Sequence, residues 1–377
     1  MKVFFRLGLF LIIVLVVQAC STRRLVPEGK YLVNKNRIVI ENPTNQKLSF
    51  SKSDLTAFSG QRANKQLLGT RFPLWVHYKT ISKTDRKFWK WINEKIGKPP
   101  IYLDNSLSQA GSDQMGRYLR NLGYFNAEIS TKANTSRFKA EVIYTLNPRQ
   151  PYTIRNFEYA ISDTSLANRV RPLQLQSELA PGANYNAYKM DEERDKITDY
   201  LKNNGFYAFS RDYIYFEVDS NFKQQVLDVK LLIDSLQTEQ GKEAHKIYLI
   251  NKVTVYPNFV PAQAGQPITD SIKLEFKAGK DRKPYNMHFY SVGNARIRPQ
   301  TFGQIVQLHE KDPFSLKKLK QTYRGLGNFR IFAITDIDFK TVSLPNADTG
   351  LLDVSIKLQR AKVHAYSVEV EGTNSAG

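Results

Sequence analysis

An internal repeat limits what this chain can fold into more than any other feature. Tyr118-Leu119-Arg120-Asn121-Leu122-Gly123-Tyr124-Phe125 recurs as Tyr200-Leu201-Lys202-Asn203-Asn204-Gly205-Phe206-Tyr207. A looser third copy is Thr322-Tyr323-Arg324-Gly325-Leu326-Gly327-Asn328-Phe329. Each copy closes a stretch of helically spaced apolar residues: Met115, Tyr118, Leu119 and Leu122; Ile197, Tyr200 and Leu201; Leu316, Leu319, Tyr323 and Leu326. Gly123, Gly205 and Gly327 fall where a helix needs a left-handed residue to stop, which glycine adopts without strain. The aromatic residues after each glycine are expected to pack back on the helix as the chain turns into a strand.

Each copy is followed by strict alternation. Ala140, Val142, Tyr144 and Leu146 share one face, as do Leu227, Val229, Leu231 and Ile233, and Leu352, Val354, Ile356 and Leu358. Period two over that length means a sheet with one buried and one wet face. Another strand precedes each helix pair, at Tyr31 to Glu41, Tyr152 to Tyr159 and Ile247 to Tyr256. Shorter helical pieces lie between, at Lys52 to Phe58, Ser165 to Leu179 and Pro299 to Leu308. Pro181-Gly182 separates the helices of the second unit, and Asp191 is expected to cap the later one. Acidic side chains in a first turn favour the helix dipole, a structural role for Asp191, Glu192 and Glu193. Each unit therefore reads strand-helix-helix-strand-strand. This is an α+β domain in which two helices cover the apolar face of a three-stranded sheet. The expected domains are 27–150, with an inserted amphipathic segment at about 70–100, then 151–235 and 246–360.

The N-terminus carries a second signal. Lys2 and Arg6 precede an apolar run from Leu7 to Val17, and then come Gln18, Ala19 and Cys20. That is the layout of a secretory signal peptide over residues 1–19, and the run is too short to span a bilayer, which needs about 20 residues. Cys20 is the only cysteine in 377 residues, so no internal disulfide is open to it. It sits where a lipobox places its acceptor thiol. Val17 and Ala19 fit that pattern, and Gln18 is an unusual middle residue. Cleavage between Ala19 and Cys20 with acylation of Cys20 would anchor the lipidated N-terminus, residues 20–26, on a membrane. Ser21, Thr22, Arg23 and Arg24 follow, with no acidic run, which favours the periplasmic face of the outer membrane. Loss of Lys2 and Arg6 takes the net charge from +20 to +18. Export argues against nucleic acid as the partner of this charge and leaves anionic lipid, an acidic protein or solubility.

Strand-helix-helix-strand-strand, with a glycine-aromatic stop on the second helix, resembles the POTRA domains of the Omp85 (BamA/TamA) outer-membrane assembly proteins. Three such units behind an N-terminal lipid resemble the TamL lipoprotein branch of that superfamily. Ile96-Gly97-Lys98-Pro99-Pro100 fits the same likeness. Lys362 to Val370 alternates again, and Glu371 to Gly377 follows it. Residues 361–377 thus look like the first strand and turn of a transmembrane β-barrel. A single barrel strand leaves backbone groups that a bilayer cannot satisfy. Either the sequence is a piece of a longer protein or the product lacks a barrel.

The resemblance implies an assembly or translocation factor. Its POTRA domains would bind unfolded outer-membrane proteins by β-strand addition and pass them to a barrel. A TamB-like inner-membrane partner is implied by the resemblance alone. The alternatives are a lipid-anchored periplasmic scaffold without a barrel, or part of a dedicated secretion pore. No enzyme or cofactor is expected: His77, His245, His288, His309 and His364 are scattered without metal-ligand spacing, and no nucleophile elbow occurs. One further segment could bind a surface. Arg86 to Ile96 is basic and amphipathic, with Phe88, Trp91, Ile92 and Ile96 expected on one face. With Lys87, Trp89, Lys90 and Trp91 it could lie on a membrane, or it could pack on the first domain. Labelled palmitate is expected on the wild-type chain and absent from Cys20→Ala; equal label in both would remove the lipid assignment.

Overall fold

The alternating segments form the sheets in this computed structural model. It describes residues 26–42, 46–67, 70–234, 239–259, 270–276, 284–291, 297–342 and 349–361. Ala19, Cys20 and the expected barrel strand at 362–370 lie outside the described residues.

In the first repeat, β1 (Leu32–Ile40) runs parallel to β3 (Lys139–Asn147), and β2 (Glu128–Ser136) pairs antiparallel with β3, in the order β1-β3-β2. Among the described residues, four α-helices lie between β1 and β2: α1 (Lys52–Thr56), α2 (Phe72–Thr80), α3 (Lys87–Lys95) and α4 (Asn105–Asn121). Ser51 and Asp54 form a capping box on α1. Asp104 caps α4 by accepting from the Ser106 and Leu107 amides. Leu55 of α1, with Met115 and Leu119 of α4, packs on Val33, Val142, Tyr144 and Leu146 from the sheet. Each fully buried aliphatic side chain of this kind contributes roughly 1.5–3 kcal/mol.

The second repeat comprises β4 (Thr153–Tyr159), α5 (Thr164–Gln174), α6 (Ala187–Asn203), β5 (Ile214–Asn221) and β6 (Val226–Ile233), with sheet order β4-β6-β5. Leu166, Val170, Ile197, Leu201, Leu231 and Ile233 fill its core. Asp191 does not cap α6, contrary to expectation. The helix starts four residues earlier, where Asn186 Oδ1 accepts from the Tyr188 and Lys189 amides. Asp191 instead pairs with Arg194 and with Arg211 at 2.8 Å. Glu193 is buried and accepts from the Tyr159 hydroxyl. Asp191 and Glu193 thus serve structural contacts, although not through the helix dipole, and Glu192 stays exposed.

The third repeat departs from the three-stranded plan. β7 (Ile247–Tyr256) follows α7 (Glu239–Ala244), and a hairpin, β8 (Asp270–Phe276) and β9 (Tyr285–Ser291), precedes the helices. After α8 (Phe302–Ile305) and α9 (Leu316–Asn328) come β10 (Phe332–Val342) and β11 (Thr349–Arg360). The order β10-β11-β7-β9-β8 makes five strands, not three. The first-last-middle order of the other sheets persists in β7-β11-β10. The hairpin adds to the free side of β7, with Thr254 opposite His288 and Val255 opposite Phe289 in parallel register. Tyr285, Met287 and Phe289 alternate into the core, which explains why these strands form.

The chain divides into two compact units. One comprises Met1–Asn156, Leu179–Lys189 and Asp219–Asp228; the other comprises Phe157–Glu178, Met190–Val218 and Val229–Gly377. Among the described residues, no helix is long and apolar enough to cross a membrane, and the strands close no barrel. In the second unit α7 is tied to β7 by Glu243, which accepts from Lys246 Nζ at 2.6 Å and from the Tyr248 hydroxyl. These bonds, the Lys246 one foremost, hold the Glu243 carboxyl below its ordinary value near 4.5. A depressed carboxylate stabilises the fold above its unfolded pKa and loses that contribution as pH falls through the folded value. Glu243→Gln is therefore expected to lower stability by less than ~1 kcal/mol at neutral pH, the pair being half-exposed. Urea titrations should show the difference shrinking as pH drops below about 4.5.

Candidate functional site

The repeat motif builds the joints between modules. α4 ends at Asn121, and Gly123 follows with φ +88°. Its carbonyl accepts from the Tyr152 amide, the residue before β4, at 2.9 Å. Tyr124 turns inward, fully buried, and meets Phe50 edge-on. Phe125 points forward instead, its ring 5.0 Å from Tyr152 and 5.2 Å from Tyr185.

The second unit repeats the device. α6 ends at Asn203 and Gly205 adopts φ +101°. The Gly205 carbonyl accepts from the Tyr248 amide at 2.8 Å. Phe206 is buried in its own core, whereas Tyr207 lies 5.1 Å from Phe314, 5.3 Å from Phe339 and 5.6 Å from Tyr248. Only the first aromatic after each glycine packs back on its own domain, and the second clamps the next one.

The receiving side is equally regular. The Tyr185 amide donates to the Tyr152 carbonyl and the Phe314 amide to the Tyr248 carbonyl, both at 2.9 Å. Sequence reasoning missed these acceptor aromatics. Their signal is one aromatic just before or at the start of the first strand and another just before the second helix.

Gly327 does not stop a helix. It lies within α9, and the left-handed turn falls to Arg330, φ +51°. Nothing lies within 4 Å of where a Cβ at Gly327 would sit. The reason is that no following domain packs on this turn among the described residues, and Phe329 and Ile331 stay exposed.

The basic segment forms part of an insertion that only the first repeat carries: residues 57–104 separate its helices, against 175–186 and 306–315. α3 rests on α2 through the 3.1 Å His77–Asn93 contact and the Lys98 amide bonded to the Pro73 carbonyl. The face differs from expectation. Ile92, Asn93 and Trp89 are half-buried, with Lys83 Nζ 5.1 Å over the Trp89 ring, while Phe88 and Trp91 point outward beside Lys87 and Lys90. Trp89 is thus a packing residue. The described histidines are dispersed: His245 meets Asp163 at 3.0 Å, His288 lies 3.5 Å from Glu310, and His309 lies 3.6 Å from Asp312. No cluster of three or more metal-ligating residues occurs among the described residues.

These features define a class: tandem α+β modules with mixed sheets, chained by glycine-aromatic turns. No family model matches the sequence, and no curated protein matches it. Among solved structures the chain is similar to POTRA domains 3–5 of BamA from Haemophilus influenzae. That match has 14% identity and a TM-score of 0.40, covering 89% of this chain and 99% of that one. It is also similar to BamA from Haemophilus ducreyi lacking POTRA domains 1–3, at 12% identity and TM-score 0.37, covering 56% of this chain and 30% of that one. A third is POTRA domains 1–3 of the periplasmic part of Omp85 from Anabaena, at 11% identity and TM-score 0.23, covering 89% and 98%.

The joints make a sharp contrast testable. A Cβ at Gly123 would sit 2.8 Å from the Tyr185 carbonyl oxygen, and one at Gly205 would sit 2.7 Å from Ile247 Cγ2. Alanine at either position is expected to cost about 2 kcal/mol or more, since the left-handed backbone alone costs roughly 1–2. Gly327→Ala, inside a helix with open space, should be neutral or stabilising by about 0.5–1 kcal/mol. Urea unfolding of the three variants checks the order.

Proposed function

We propose that this chain is the periplasmic arm of an outer-membrane protein assembly or translocation factor of the POTRA-containing Omp85 type, anchored by lipid at Cys20. Its domains receive unfolded outer-membrane proteins by strand addition and deliver them to a barrel. A TamL-like identity and a TamB-like inner-membrane partner belong to the same proposal.

The observation that carries the reading is the third sheet. In the first two sheets the first strand of the repeat is an edge strand; in the third, the equivalent side of β7 is completed by β9 and β8. The same sheet plan therefore accepts an added strand there, through backbone groups that impose little sequence preference. At β4 the Gln174 side-chain amide donates to the Phe157 carbonyl at 3.1 Å. A side chain thus stands where an incoming strand would supply its N–H. Tolerance of sequence suits a factor with many different clients.

Photo-crosslinkers at Arg37 of β1 and Glu158 of β4, compared with Glu192 on the exposed side of α6, test the proposal in cells. Capture of several outer-membrane proteins at the strand positions and not at Glu192 is the expected result. Capture of a single secreted protein would favour a dedicated pore, and capture of no outer-membrane protein would sink the assembly reading.

A further inference from the structure

We propose that α3 is a lipid-contact device: its outer face lies on an anionic phospholipid surface through Phe88 and Trp91, held by surrounding lysines. The helix carries no buried residue. Phe88 is 64% exposed and Trp91 54%, the most exposed rings of the inserted segment. Positions 88, 91 and 95 succeed one another on one helix face, and 87 and 91 are one turn apart. The two aromatic rings therefore share a face with Lys87 and Lys95. Ile81, in the turn before the helix, is also exposed.

Charge selects the occupant. Lys79, Lys83, Arg86, Lys87, Lys90, Lys95 and Lys98 stand against only Asp85 and Glu94 in this stretch. None of these seven cations reaches a carboxylate within ion-pair distance among the described residues. An exposed aromatic pair rimmed by long basic side chains matches the interfacial zone of a bilayer. There tryptophan sits at headgroup depth and lysine stems lie along apolar surface with their charges in water. A protein groove would need apolar ridges along the whole face, whereas this face alternates rings with ammonium groups. The α2–α3 contacts hold the inner side, so the outer face is presented as a fixed surface.

Trp91 reports on the contact. The full chain, reconstituted into phosphatidylglycerol vesicles with brominated acyl chains, is compared with Trp91→Phe. Quenching in the wild type that Trp91→Phe abolishes, with unchanged circular dichroism, is expected, as is a blue shift of the Trp91 component. Lys87→Gln/Lys90→Gln should weaken the contact roughly twenty-five-fold, at about a factor of five per lysine near an anionic surface. Quenching equal in brominated phosphatidylcholine would overturn the electrostatic part and with it the proposal. So would a Trp91 component with no quenching in either lipid, which would point to a protein partner. Neither result bears on client capture at the sheet edges.

Discussion

The joint between modules depends on one backbone hydrogen bond that geometry allows only behind a left-handed glycine. When a helix ends at Gly123 or Gly205, the reversed backbone turns the glycine carbonyl toward the amide of Tyr152 or Tyr248. With a side chain at the glycine, the next domain could not approach, because Tyr185 or Ile247 already occupies the space. The same turn divides its two aromatic residues between domains, Tyr124 and Phe206 inward, Phe125 and Tyr207 forward. Helix termination, core filling and domain linkage are therefore one event. Burial of the Tyr248 hydroxyl, with the Glu243 carboxylate it donates to, pushes its pKa up, so the donor stays protonated over the physiological range.

Much of this was legible in the sequence, for a physical reason. Period-two patterns such as Val142, Tyr144 and Leu146, and helical runs such as Met115 and Leu119, record a single buried face, which local spacing encodes directly. The helix-stop role of Gly123 and Gly205 was visible because a repeated glycine in one place has few explanations. Gly327 shows the limit: among the described residues no domain packs on the same motif there, and the helix runs through it. The forward-pointing rings were not legible, since which of two adjacent aromatics faces home depends on a domain not yet placed. The β8–β9 hairpin was missed although Ile272, Leu274 and Phe276 alternate, because the three-strand template left no place for it. At α3 the apolar count was right and the face wrong, because Asn93 rather than an apolar residue anchors the helix to His77.

The third sheet also shows what separates a finished edge from an open one. β9 joins β7 over the half of the strand that lies beyond the interhelical loop, whose Asp312 and Lys311 occupy the first half through Ile250. β4 is covered in the same way, with Ala183 and Gly182 on Ile154, and beyond that point, among the described residues, the Gln174 amide attends the Phe157 carbonyl. The available length is thus a few residues. Each added backbone hydrogen bond contributes about 0.5–1.5 kcal/mol net, since water already served those groups.

Under the proposed function, a short edge of that kind would bind weakly and release readily, which is the behaviour a hand-over step needs. Tight capture would require either a long edge, which invites aggregation, or specific side-chain pockets, which would narrow the client range. Under the proposed function, affinity comes instead from several weak edges on one chain. When two such sites engage one extended polypeptide, the second binds at an effective concentration set by the link between them. The joints matter here because they link consecutive edges along one chain while each edge remains individually weak. Under that proposal, local linkage with loose contact accounts for a chain that spends its most restrictive residues on joints and leaves its strand edges to the backbone.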